Sequence, residues 1–229
     1  MTSATNEHEL QSWIASLEAA HAPGWRGDAS TVAGDRPADG AHDLAHVRRV
    51  WRQAKRIADE LGEPVDRLVL VAATYLHDLV SYEKDDPRRA QSSRDSAAEA
   101  RRRLAALGFP AARLDAVAHA IEAHSYSAGI APRSAEARVL QDADRLEALG
   151  AIGLARTFYV AGRMGSELFD ADDPFARQRP LDDSRYAVDH FARKLFGLEA
   201  TMQTPPGRRL ARERTAVLER FLDDLAREL

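Results

Sequence analysis

Cysteine is absent from the 229 residues. That one absence excludes disulfides, thiolate metal sites and cysteine nucleophiles. A transition-metal site in this chain must be built from His, Asp or Glu, a donor set that favours harder ions or zinc. An excess of basic charge is missing too. Lys and Arg number 32 against 36 Asp and Glu, a net charge of −4, and the arginines are scattered rather than massed. No nucleic-acid polymer is therefore expected as a partner. No apolar run approaches the roughly 18 residues of a membrane span, and MTSATNEHEL lacks the pattern of a secretory signal. A cytoplasmic chain with no membrane partner is the expectation. Strand alternation and internal repeats are also missing.

What is present is helical patterning. An apolar fraction of 45% with 30% charged residues suits one soluble domain with a real core. Leu10, Trp13, Ile14 and Leu17 predict an amphipathic helix over 6–20. Residues 21–40 are dense in Gly, Pro, Asp and Ser and read as a loop, one that delivers the chain to His42 and His46. A second helix over 41–61 stops at Gly62-Glu63-Pro64, and Pro64 opens a third. From Leu68 to Leu79 that helix is apolar nearly all round, which marks a central helix. Further helices are expected over 97–107, capped by Ser93 or Asp95 and closed by Gly108, then over 110–124 and 135–149. Another apolar piece covers 152–160. Residues 162–183 read as irregular, a lid or surface loop, and two helices over 184–203 and 206–228 complete an all-α chain.

Two imidazoles and two carboxylates can hold a hard or borderline divalent ion and leave positions for water and substrate. His46, His77, Asp78 and Asp144 supply that inventory from three separate helices. Neighbouring helical residues diverge by about 100°. His77 and Asp78 can therefore serve one ion only near a helix end. An ionised aspartate at the end of VLVAATYLH also needs a compensator, and a divalent metal is the simplest one.

The ordered pattern His46 … His77-Asp78 … Asp144 resembles the HD superfamily of metal-dependent phosphohydrolases. HDLAHVRRVWRQA, AATYLHDLV, EAHSYS, LQDADRLEALGAIGLARTF, HFARKL and LEATMQT resemble its compact bacterial branch, often called YpgQ-like or YedJ-like. The resemblance covers residues 41–225. It implies a single-domain helical HD fold over 41–229, with the helix and loop of 1–40 packed on it. It also implies His46, His77, Asp78 and Asp144 as ligands, Asp144 being preferred to Asp142 on this ground. One divalent ion per chain is expected, Mn²⁺ first, with Mg²⁺, Co²⁺, Ni²⁺, Fe²⁺ and Zn²⁺ as alternatives.

Such an ion lowers the pKa of a bound water and polarises a phosphoryl oxygen, and positioning does most of the rest. The expected activity is hydrolysis of a nucleotide or related small-molecule phosphate, in the preferred form a nucleoside triphosphate pyrophosphohydrolase. A 5′-nucleotidase-like phosphomonoesterase and a non-catalytic metal- or nucleotide-binding regulatory domain are the alternatives. Asp78 and Glu83 are the catalytic candidates, Glu83 as general base, although the acidic residues after the His-Asp pair are offset from the family's usual arrangement. His42, four residues before His46, is a substrate-side group, a metal partner or a cap. Lys84, His124 and Arg145 are candidates for phosphate, with Arg145 alternatively pairing with Asp142. His119 reads as a core or surface histidine, and His8, His21 and His190 carry no assignment. A homodimer is left open.

Overall fold

The protein is described by a computed structural model over residues 3–19 (side chains from residue 7), 44–82 and 86–229. Among these residues the regular elements are nine α-helices and short 3-10 turns, with one isolated bridge between Glu167 and Tyr186. The all-α expectation is met. None of the described helices is long and apolar enough to cross a membrane. The loop expected over 21–40, with His42, lies outside the described residues, as do Glu83 and Lys84. The chain divides into two compact units, residues 1–143 and 144–229.

The first unit is built on one buried helix. α3 (Arg67–Leu76) buries every residue from Leu68 to Leu76. α1 (Ser3–Ala19), α2 (Leu44–Glu60), α4 (Ser92–Ala106) and α5 (Leu114–His124) all pack on it. Pro64 does not open α3. Asp66 does, in extended conformation, its carboxylate accepting from Leu68 N and Val69 N. An aspartate offers the acceptor that the first N–H groups need, whereas proline only shapes the approach. α2 turns Val47, Val50, Trp51, Ala54, Ile57 and Ala58 into the core. Each fully buried large apolar side chain contributes about 1.5–3 kcal/mol.

α4 starts at Ser92, earlier than expected, because a 3-10 turn over Arg89–Gln91 runs straight into it. Ser93 and Asp95 therefore sit inside its first turn instead of capping it. Gly108 closes the helix at φ 78°, a left-handed angle that glycine takes without strain. α6 (Ala135–Arg145) is shorter than the 135–149 expected: a 3-10 turn follows over Leu146–Ala148 and Leu149 is extended.

In the second unit α7 (Gly150–Met164) packs against α9 (Pro205–Glu228), and half-buried Phe158 and Phe221 cluster with buried Phe191, ring centroids 5.6–6.2 Å apart. The helix expected over 184–203 is broken. Only α8 (Asp189–Arg193) is α-helical, since Lys194 at φ −135° leaves the helical region and 3-10 turns follow. Phe191, Leu195, Leu198 and Met202 still bury one face at helical spacing, which is the pattern the sequence displays. α9 begins at Pro205 with Thr204 as its cap.

The irregular stretch between α7 and α8 is stitched by carboxylates. Asp170 accepts from the amides of Asp172 and Asp173 and from the Tyr186 hydroxyl. Asp173 accepts from the amides of Arg177, Gln178 and Arg179. Arg179 forks onto the buried Asp189 at 2.6 and 2.8 Å. The loop's backbone donors are thus engaged by its own carboxylates.

Candidate metal centre

Three helix ends of the first unit converge on one carboxylate. His46 lies in the first turn of α2, His77 is the C-cap of α3 and His124 is the last residue of α5. Asp78 follows His77 directly. Its Oδ2 lies 3.4 Å from His77 Nε2 and 4.0 Å from His46 Nε2, and its Oδ1 lies 3.5 Å from His124 Nε2. The His46 and His77 ring centroids are 5.6 Å apart, and the His77 and His124 rings meet edge to face at 4.9 Å. All three histidines are buried, while the Asp78 side chain keeps 30% of its surface. The cluster therefore has one wet side, and it is the carboxylate's.

Local chemistry decides which ring nitrogens face Asp78. His77 Nδ1 is 2.7 Å from the Thr74 carbonyl, and His124 Nδ1 is 2.5 Å from the Ile121 carbonyl. A carbonyl oxygen only accepts, so both Nδ1 atoms carry the hydrogen. In the neutral rings each Nε2 is then a lone pair directed at the Asp78 oxygens. Lone pairs and a carboxylate repel at these separations, and a cation relieves the repulsion. Donors bound to one ion at about 2.0–2.2 Å stand roughly 3–3.6 Å apart. The His77 and His124 separations fall in that range and the His46 separation lies just above it. His46, His77 and Asp78 together form a group fit to hold a metal ion.

The surroundings hold these groups in place. Val80, two residues past Asp78, donates from its amide to Ser96 Oγ in α4, and that hydroxyl donates back to the Val80 carbonyl. The Tyr82 hydroxyl donates to Asp95 at 2.8 Å. At the end of α5, buried Gln141 in α6 donates from Nε2 to the Ala123 carbonyl at 2.6 Å. His119 accepts the Arg133 amide with Nε2 at 3.0 Å, which ties down the segment after His124. Burial first, and the Arg133 charge second, push the His119 pKa below the usual imidazole value.

His46, His77 and Asp78 come together as the sequence suggests, and the His77-Asp78 pair sits at a helix end, where adjacent residues can face one point. His124, expected beside phosphate, joins the same cluster. Asp144 lies half-buried in the last turn of α6, and Asp142 is fully buried. Arg145 donates to the Thr201 carbonyl at 2.7 Å, a bond that braces the second unit. Gln141 was not singled out from the sequence, although a signal existed. It shares the inward face of α6 with Ala137 and Leu140, a polar amide in an apolar stripe.

The HD domain family matches residues 43–149. The uncharacterized protein YpgQ of Bacillus subtilis (strain 168) is 32% identical over 192 residues, covering 82% of this chain and 84% of that protein. The crystal structure of Bacillus subtilis YpgQ in complex with ADP superposes with a TM-score of 0.66 at 28% identity, over 100% of this chain and 97% of that one. An HD-superfamily hydrolase from Bacillus thuringiensis superposes with a TM-score of 0.66 at 25% identity, over 97% of each chain.

Proposed function

We propose, for a chain that belongs to the HD domain family on its YpgQ-like branch, that it is a metal-dependent hydrolase of nucleotides that releases pyrophosphate from a nucleoside triphosphate. The observation that carries the reading is the convergence of three imidazole Nε2 atoms on Asp78. Nucleotide as substrate class is supported by the ADP complex of the relative.

His46, His77 and Asp78 would hold one divalent ion, Mn²⁺ first among the candidates, with Asp144 as the fourth ligand on the family pattern. When bound, the ion supplies Lewis acidity, making hydroxide available from water near neutral pH and neutralising phosphoryl charge. The residues do the rest. The Nδ1–H bonds to Thr74 and Ile121 keep the His77 and His124 rings oriented and leave Nε2 as the donor atom, the role of outer hydrogen bonds around metal-binding histidines. His124, lodged against Asp78 Oδ1, is assigned to holding the ion or the phosphate beside it. The exposed edge of Asp78 accepts a proton on the wet side of the cluster. Glu83 is retained as the general base, and His42, Lys84 and Arg145 as phosphate-side groups.

A metal-by-substrate screen with product analysis tests the proposal. With Mn²⁺, Mg²⁺, Co²⁺ or Ni²⁺, a nucleoside triphosphate should yield monophosphate and pyrophosphate. Nucleoside and free phosphate from a monophosphate would replace it with the phosphomonoesterase. A chain that binds metal stoichiometrically yet turns over no phosphate would overturn the enzyme reading.

A further inference from the structure

α1 carries a carboxylate that ties together the two helices supplying His46 and His77. Glu18 lies in the last turn of α1, before the span that the family profile matches. Its Oε1 and Oε2 accept a fork from Arg48 Nε and Nη2, both at 2.8 Å. The same Oε1 accepts the Tyr75 hydroxyl at 2.9 Å. Arg48 stands two residues after His46 in α2, and Tyr75 two residues before His77 in α3. Two residues are about 200° of helical turn. The tie therefore grips each helix on the side away from its imidazole, as a pin grips two levers behind their working ends.

We propose that Glu18 is a positioning residue for the metal centre, fixing the spacing of α2 and α3 and through it the separation of the His46 and His77 rings. The inference rests on the metal-centre reading for its functional meaning, while the geometric coupling stands independently of it. A stabilising role alone would be a poor use of this arrangement, because an ion pair with Arg48 half-exposed contributes little to folding. What the fork supplies is direction. Planar guanidinium and carboxylate meet in one orientation, and a phenol on the same oxygen fixes the third point. Tyr75 is buried, so its hydroxyl is a firm anchor. Leu17, fully buried beside Glu18, and the edge-to-face contact of Trp13 with Phe109 at 5.0 Å keep α1 itself in register.

The test uses the full chain and two readouts. The first is the imidazole nitrogen and carbon-proton resonances of His46 and His77 in chelator-treated protein. The second is Mn²⁺ affinity by chelator competition. Glu18→Ala should move both rings' resonances and weaken Mn²⁺ binding about three- to ten-fold, below the 10–100-fold typical of direct partners of ligands. Glu18→Gln keeps one oxygen for Tyr75 and Arg48 Nε but loses the acceptor for Arg48 Nη2, so its affinity should fall between those of the parent and Glu18→Ala. Arg56→Ala, which removes a surface pair on α2 with Glu60, should change neither readout. Tyr75→Phe keeps the buried ring and removes only the hydroxyl, so it decides the matter should Glu18→Ala fail to fold. Unmoved His46 and His77 resonances in Glu18→Ala, or in Tyr75→Phe in that event, overturn the inference. Parent protein that binds no Mn²⁺ refutes the metal-centre reading instead, and the resonances of metal-free protein still decide the coupling.

Discussion

Gln141→Leu isolates one bond at the end of α5 and gives a magnitude that can be checked. The amide Nε2 lies 2.6 Å from the Ala123 carbonyl, one of the last-turn carbonyls that a helix leaves without an intrahelical partner. Leucine fills nearly the same volume and donates nothing. Stranding a buried carbonyl costs about 1–3 kcal/mol. Part of that is offset, because Gln141 Oε1 is itself buried with no acceptor role among the described residues, and leucine removes it. A net loss of about 1–2 kcal/mol is expected, or a Tm lower by about 2–8 °C for a chain of this length. The assay is thermal unfolding followed by circular dichroism with chelator present, since a bound ion would add stability by mass action. Gln141→Glu supplies the sign. A carboxyl facing a carbonyl donates only when protonated, so its folded pKa lies above the unfolded value of about 4.3. Its stabilisation is then complete below that value and is lost as pH rises through the folded pKa. The glutamate variant should approach the parent near pH 4 and fall away toward pH 7. A leucine variant that melts within about 1 °C of the parent, or a glutamate variant with the parent's pH profile, would refute the assignment of this bond.

Two further outcomes follow from the second unit. A Cβ added at Gly153 would meet the Ala148 carbonyl carbon and oxygen at 2.2 Å, and backbone cannot step aside, so Gly153→Ala should lose about 3 kcal/mol or more, read as a lower urea midpoint; an unchanged midpoint contradicts it. The Tyr186 hydroxyl is the first cause holding Asp170 down at about 2, ahead of two backbone amides. Stability from Asp170 is therefore present above its ordinary value near 3.8 and is lost as pH falls through about 2. Tyr186→Phe should raise the Asp170 midpoint in a carboxyl NMR titration, and an unmoved midpoint would show that the amides alone set it.

Much of the fold was legible because its signals are local. Apolar spacing marked the buried faces of α2 and α3, and Gly108 marked a boundary that the backbone uses. The errors fell where a tertiary or short-range effect replaces a local rule. Asp66 outcompetes Pro64 for the start of α3. A 3-10 turn feeds α4 directly, and a break at Lys194 hides inside an intact hydrophobic period. The stretch read as irregular over 162–183 lacks regular helix only past Met164, because the last turn of α7 takes in Gly162, Arg163 and Met164. Its internal bonding was not legible, because no propensity reveals which carboxylate takes which amide. At the centre, the identity of His46, His77 and Asp78 showed in their order and residue type. The position of His124 against Asp78 and the tie through Glu18 depend on how α1, α2, α3 and α5 pack, which spacing along the chain does not encode.

His77 and His124 each park the Nδ1 hydrogen on a carbonyl three residues earlier in the same helix. A helix that ends in histidine thereby carries a wired ligand atom as part of its own secondary structure. Such an end is a portable component. It presents Nε2 before any partner arrives, owes nothing to a distant side chain, and can be transplanted onto another helical frame with its preparation intact. Affinity at a site assembled from such ends is set by how well the frame spaces them rather than by the chemistry at each one.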